Sequence, residues 1–124
     1  MKNWKLILAA AVGVVVLVVA AVLWQRSGQV EVKSDTGYHA VLLSNGQVYY
    51  GRLTGLGTDF PVLTEVFYVQ VGVDPATKES KSVLLKRGKE WHAPDRMVLN
   101  ARHIILVEPV TSRSKMAELI AQAK

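Results

Sequence analysis

The stretch Ser44-Asn45-Gly46-Gln47-Val48-Tyr49-Tyr50-Gly51-Arg52-Leu53 decides how this chain is read. Apolar residues lie on both sides of Asn45-Gly46. That dipeptide suits a type I′ turn, whose two central residues both need φ > 0, a region that Asn and Gly tolerate best. Residues 38–43 and 48–53 then become two antiparallel strands with a tight connection. Gly51 falls inside the second strand, where glycine marks a bend, a bulge or the close approach of another backbone. A bent hairpin is how a short sheet begins to curl.

Beyond the hairpin the pattern stays β. Thr54-Gly55-Leu56-Gly57-Thr58-Asp59 is a Gly-rich loop. Residues 62–71 read as a long strand with Leu63, Phe67, Val69 and Val71 on one parity, interrupted by Glu65. Val66 and Tyr68 take the other parity, so both faces are expected to be partly covered. Asp74-Pro75-Ala76-Thr77 supplies a turn, with Pro at a favoured position. Residues 82–86 form a further strand, 86–89 an exposed turn, and 90–96 an irregular stretch around Pro94. Residues 97–99 and 104–107 are two short strands flanking Asn100-Ala101-Arg102-His103. In the tail, Met116, Leu119, Ile120 and Ala123 follow i, i+3, i+4, i+7, one face of an amphipathic helix. Ser112 or Ser114 supplies its N-cap. The helix is expected to cap an open end of the β domain, with partner binding as the alternative.

Upstream, residues 6–23 are eighteen residues of Leu, Ile, Val, Ala and one Gly without charge. At 1.5 Å per residue the run matches the ~30 Å hydrocarbon core of a bilayer. Trp4 and Trp24 bracket it at the positions where Trp prefers the interface, next to Leu6 and Leu23, and Lys5 and Arg26 reach toward headgroups. A cleaved signal peptide is the competing reading, with Val19-Ala20-Ala21 near a cleavage point. The apolar run is long for that, which favours a retained single-pass anchor. The Lys/Arg count is tied across the span. The amino terminus and the tighter clustering of Lys2 and Lys5 favour amino-terminus-inside, with the domain on the extracytoplasmic side. The expected organisation is an anchor at 1–26, a polar linker at 27–37, a β domain at 38–110 and a helix at 111–124.

The 124 residues include no cysteine, which removes disulfides, thiolate chemistry and zinc–thiolate sites. About 95 residues remain after the anchor, enough for one small domain with a modest core. The formal charge is +5. Three of the fifteen Lys/Arg precede residue 27 while all ten acids follow it, leaving the folded part at only +2. Bulk charge therefore gives no argument for nucleic acid.

The order of motifs resembles Sm-like proteins. The segment from Leu43 through Asn45, Gly46, Gly51 and Leu53 to Asp59-Phe60 is similar to their first signature, and Val98-Leu99-Asn100-Ala101-Arg102-His103-Ile104 is similar to the second. The resemblance covers roughly residues 38–108. It implies a mainly β fold built as a small five-stranded Sm-like or SH3-like barrel. The Asn that follows the Asp in many Sm proteins, and that takes part in RNA contacts, is absent at Pro61-Val62. Asn100-Ala101 stands in place of Arg-Gly, and the linker and apolar span replace the amino-terminal helix of that fold. The resemblance therefore carries architecture further than RNA binding. The chain also looks like uncharacterised small bacterial membrane-anchored proteins with this type of hairpin and a Trp-His-x-Pro stretch, which implies a bacterial inner (plasma) membrane and no activity.

The residues show no catalytic set. His39, His92 and His103 fall in no metal-ligand spacing, although Glu90, His92 and Asp95 lie close together in sequence. No Gly-x-Ser-x-Gly occurs, and Gly55-Leu56-Gly57 lacks the helix and Lys of a phosphate loop. No cofactor, metal or small-molecule substrate is expected. Lys86, Arg87, Lys89, Arg96 and Arg102 could form a basic contact face with Tyr49, Tyr50, Tyr68 and Trp91 nearby, suited to anionic lipid or to single-stranded nucleic acid. The expected role is a non-enzymatic binding or assembly module, an accessory subunit or scaffold. Its partners would be the lipid bilayer and either another membrane protein or further copies of itself. A cytoplasm-facing nucleic-acid binder and an anionic-lipid-contacting domain are the alternatives.

Overall fold

A computed structural model describes residues 3–28 and 30–124. Its elements are α1 (Trp4–Ser27), β1 (His39–Leu43), β2 (Val48–Thr54), β3 (Val62–Val73), β4 (Ser80–Lys86), β5 (Arg96–Val98), a 3₁₀ turn (Ala101–His103), β6 (Ile104–Pro109) and α2 (Lys115–Ala123). The protein is mainly β, with an apolar helix before the sheet and a short helix after it. The strands make one six-stranded antiparallel sheet in the order β4-β3-β2-β1-β6, with β5 beside the first part of β3. Six strands replace the expected five. No ladder joins the two ends of the sheet among the described residues, so it is open rather than a closed barrel.

The sheet is nevertheless curled. β5 lies outside β3 and β6 outside β1, so a flat sheet would hold them four strand spacings, about 19 Å, apart. Only five residues connect them, and three of those are wound as the compact 3₁₀ turn. The strands therefore wrap around a cluster made by Val41, Leu63, Val66 and Leu99, packed against Leu43, Tyr49, Leu53, Met97, Ile104 and Val107. Leu53, Leu99 and Ile104, taken from the two separated sequence motifs, meet in this one cluster.

The hairpin turn differs from the expected type. Gly46 has φ 84°, but Asn45 is not in the positive-φ region. The Gly46 N–H donates to the Leu43 carbonyl at 2.9 Å, and the Leu43 N–H donates to the Gln47 carbonyl at 2.9 Å. This is a type I turn followed by a glycine in the left-handed region, the three-residue hairpin alternative. Asn45 serves through its side chain, whose Oδ1 accepts from the Gln47 N–H at 3.0 Å.

Gly51 does mark a bulge. Tyr50 pairs with Phe67 and Arg52 with Thr64, so the single residue Gly51 faces both Glu65 and Val66. Glu65 adopts φ 49° there. The extra residue resets the strand's alternation. Leu63 and Val66 consequently enter one cluster while Phe67 faces the other side, which is why Glu65 breaks the parity in the sequence.

On that other side Tyr38, Phe67, Val110 and Ile120 form a second cluster, with Tyr50, Leu84, Met116 and Ala117 against it. Alternation along β1 and β2 puts Tyr38 and Tyr50 opposite Val41 and Tyr49. The helix α2 thus covers the reverse face of the sheet instead of capping an open end. Ser114 is its N-cap, accepting from the Ala117 N–H at 3.0 Å. Ser112 serves elsewhere, donating to Asp35 Oδ2 at 2.6 Å.

The helix α1 has apolar residues on all sides and none of its apolar window is buried. Trp4, Leu6, Leu23 and Trp24 are all exposed. A stripe facing a core would be apolar on one side only. The segment Trp4–Gln25 is long and apolar enough to cross a membrane. Lys5 lies in its first turn, and the side chain of Arg26 lies outside the described residues.

Candidate functional site

Three of the five basic residues singled out in the sequence come together. Lys86 at the end of β4, Arg87 after it and Arg96 at the start of β5 line a hollow of about 230 Å³ at the point where β4 leaves β3 and β5 takes over. The Arg87 N–H donates to the Val66 carbonyl at 2.8 Å, which fixes this corner on the bulge. Lys89 is exposed in the following turn. Arg102 belongs to the 3₁₀ turn beyond the other end of β5 and is not part of the hollow.

The hollow is not strongly cationic, because carboxylates answer its guanidinium groups. Asp95 accepts from Arg96 at 3.0 and 3.1 Å. The Arg96 hydrogen bonds hold the Asp95 carboxyl below the usual range, and Asp95 raises the guanidinium in turn. Arg87 Nε is buried 3.8 Å from Glu90 Oε1, an ion pair without a hydrogen bond. Glu90 instead accepts from the Gly88 N–H at 2.8 Å, and that bond is the main cause of its lowered pKa. Glu90 and Asp95 are thus engaged with separate partners, Glu90 with Gly88 and Arg87 and Asp95 with Arg96. Among the described residues no group of His, Asp and Glu is arranged to hold a metal ion.

The aromatics do not form one stacking platform. Tyr49 and Tyr68 meet edge-to-face with ring centres 6.3 Å apart, and Arg87 lies 5.8 Å over the Tyr49 ring. Tyr50 packs on the opposite face against the α2 cluster. Trp91 is fully exposed on the loop before β5.

The two motif segments found in the sequence are neighbours in space. The Leu99 N–H donates to the Pro61 carbonyl at 2.8 Å, and the Ala101 N–H to the Asp59 carbonyl at 3.0 Å. The Ser44 N–H donates to the His103 carbonyl at 2.8 Å. Asn100 caps the 3₁₀ turn, its Oδ1 accepting from the Arg102 N–H at 3.1 Å. The Asp59 carbonyl thus joins the two segments, while Asn100 is committed within the 3₁₀ turn, its carbonyl accepting from the His103 N–H at 3.0 Å.

Neither family models nor curated proteins give a match to this chain. Function therefore has to be read from the surfaces the fold leaves open.

Sequence reasoning missed two of these surfaces. One is the outer edge of β6, where residues 104–107 are Ile, Ile, Leu and Val in succession and Ile105 and Leu106 are exposed. An extra residue at Ile105 shifts the register against β1. The uninterrupted apolar run was a visible signal, but only the strand order reveals that it lies at an edge. The other is the linker. Residues 30–36 are stitched to the domain: the Val30 N–H donates to the Leu56 carbonyl at 2.9 Å, His39 Nε2 meets the Val32 carbonyl at 2.5 Å, and Thr36 Oγ1 donates to the Val110 carbonyl at 2.6 Å. Ser34 Oγ adds bonds to the Tyr38 and Val110 carbonyls. A cleft of about 720 Å³ runs between this segment and the end of β2.

Proposed function

We propose that this protein is a membrane-anchored assembly module: α1 crosses the bilayer and the β domain binds a partner strand at an open sheet edge instead of catalysing a reaction. The observation that carries this reading is the β6 edge. An unpaired edge offers a row of backbone donors and acceptors to another chain, and proteins that avoid such pairing protect the edge with charge, proline or a covering element. β4, at the opposite end of the sheet, has Lys81 and Lys86 within it. β6 holds a bulge at Ile105 and ends in Glu108 and Pro109, but its first four residues carry no charge or proline and leave Ile105 and Leu106 exposed. Strand addition there would gain main-chain hydrogen bonds, with Ile105 and Leu106 providing apolar contact.

The partner strand would come from a second copy or from another protein of the same bilayer. The strong curl of the sheet and the meeting of the two motif segments support relating the domain to the small Sm-like or SH3-like barrels. We place the domain on the extracytoplasmic side, supported by Lys2 and Lys5 at the amino-terminal end of the span. The absence of cysteine makes that testable with a single introduced cysteine near the carboxy terminus. A membrane-impermeant thiol reagent added to intact cells should label it. Labelling only after lysis would place the domain in the cytoplasm and restore the nucleic-acid alternative. For the edge itself, native mass in detergent should exceed that of one copy, and Leu106→Lys should reduce it to one copy without unfolding the domain.

A further inference from the structure

The stitched linker fixes which side of the domain meets the bilayer. Gly28 follows α1 directly, and its carbonyl packs against Gly57 so closely that a β-carbon on Gly57 would collide with it. Gly57 also has φ 95°, a conformation reserved for glycine. Two residues on, Val30 is bonded to Leu56. Six residue steps separate Trp24, at the end of the span, from Val30, and the first three are helical, so the two lie at most about 15 Å apart. The β2–β3 loop is therefore held at the level where the headgroups lie beyond the hydrocarbon core.

That loop carries an unexplained apolar side chain. Phe60 is 63% exposed although Pro61 beside it and Leu63 three residues on are fully buried. Val98, whose backbone pairs with Val62, is 61% exposed beside it, and Val30 is 60% exposed on the linker. Arg102 is exposed on the 3₁₀ turn that the Ala101–Asp59 bond ties to the same loop. The far end of the domain, the β3–β4 turn, is about 35 Å away along β3.

We infer that the β2–β3 loop is a second membrane contact, with Phe60 inserted among the headgroups beside the anchor, Val98 and Val30 flanking it, and Arg102 at phosphate level. Aromatic rings favour the interface, where their apolar body is covered without full burial. Asp59 next to Phe60 keeps the local charge balanced, so the contact is led by apolar insertion and not by anionic-lipid attraction. The domain then lies against the bilayer in a set orientation, with its β3–β4 turn pointing away. This inference rests on the reading of α1 as a membrane span.

The test uses the full chain reconstituted into vesicles of phosphatidylcholine and phosphatidylglycerol, with single cysteines introduced as Phe60→Cys, Val15→Cys or Thr77→Cys and labelled with an environment-sensitive fluorophore. The label at position 60 should be quenched by aqueous iodide several-fold less than the one at 77, and should be quenched by doxyl groups carried on lipid. The label at 15 should be shielded from iodide in every case. Free iodide access at 60 with shielding at 15 overturns the loop contact and leaves the span standing. Iodide access at 15 overturns both. Shielding at 60 without quenching by lipid-borne doxyl means that protein covers the loop, which also overturns the inference.

Discussion

Gly51 lies so close to Thr64 that a β-carbon on the glycine would stand 2.8 Å from the Thr64 carbonyl oxygen. The contact exists because β3 carries an extra residue there, and the bulge bends both strands around the core. Replacing Gly51 by Ala forces the β-carbon onto the Thr64 backbone oxygen and within 3.2 Å of Cδ2 of the fully buried Leu63. Overpacking of this kind costs about 1–3 kcal/mol. Thermal unfolding of the full chain in detergent should show a Tm lowered by about 4–8 °C for each kcal/mol lost.

The residue at the bulge is held by its side chain. Glu65 Oε2 accepts from Tyr38 Oη at 2.7 Å and from Arg52 Nε at 2.6 Å, and Arg52 also lies 4.5 Å over the Tyr38 ring. The Tyr38 bond first, and Arg52 second, hold the Glu65 carboxyl below its usual value of 4.5. Its folded pKa is depressed, so its stabilisation is fully present above the unfolded value and is lost as pH falls through the folded one. Glu65→Gln should therefore lower stability at neutral pH and narrow its difference from wild type in acid. The side chain is half exposed, so the effect should stay below about 1 kcal/mol. Denaturant melts of both proteins from neutral to acidic pH check the sign.

His39 reaches from β1 to the linker through its bond to the Val32 carbonyl. His39→Ala should release residues 30–34 from the cleft while leaving the sheet intact. Trypsin cleavage after the exposed Lys33 should then become several-fold faster, with the fragment beyond it retaining its circular dichroism. Unchanged cleavage would mean that the other linker bonds suffice.

The reverse face of the sheet depends on α2. Ile120 is 3% exposed against Tyr38, Phe67 and Val110. Ile120→Ala should cost about 2–5 kcal/mol. Ser114→Ala, which removes the N-cap acceptor, should cost about 1 kcal/mol. Chemical denaturation in detergent separates the two magnitudes, and near-equal values would place the helix's contribution in its cap and not in its packing.

Much of the fold was legible because its signals are local. The Asn-Gly turn, the Gly51 bulge, the apolar span and the i, i+3, i+4 spacing of Met116, Leu119 and Ile120 each report on a few neighbouring residues. The turn type escaped because Ser44 and Asn45 can build a type I turn with Gly46 supplying the positive φ, and the composition of the two turns is the same. The place of α2 escaped because the parity of β3 changes at Glu65, and an inserted residue is invisible until its partner strand is known. The basic residues were legible, but their neutralisation was not. Pairing of Arg96 with its neighbour Asp95 and of Arg87 with Glu90 depends on loop geometry around Pro94. The open β6 edge is a property of strand order, which no local pattern encodes.

Whether that edge binds another strand is tested most directly by the native mass of the detergent-solubilised protein, measured by light scattering. Strand pairing at β6 predicts a mass above one copy for the wild type, from added copies or a stoichiometric membrane partner, and a single copy with unchanged Tm for Leu106→Lys. A wild type that runs as one copy with no companion protein, or an assembly indifferent to Leu106→Lys and Ile105→Lys, would contradict it.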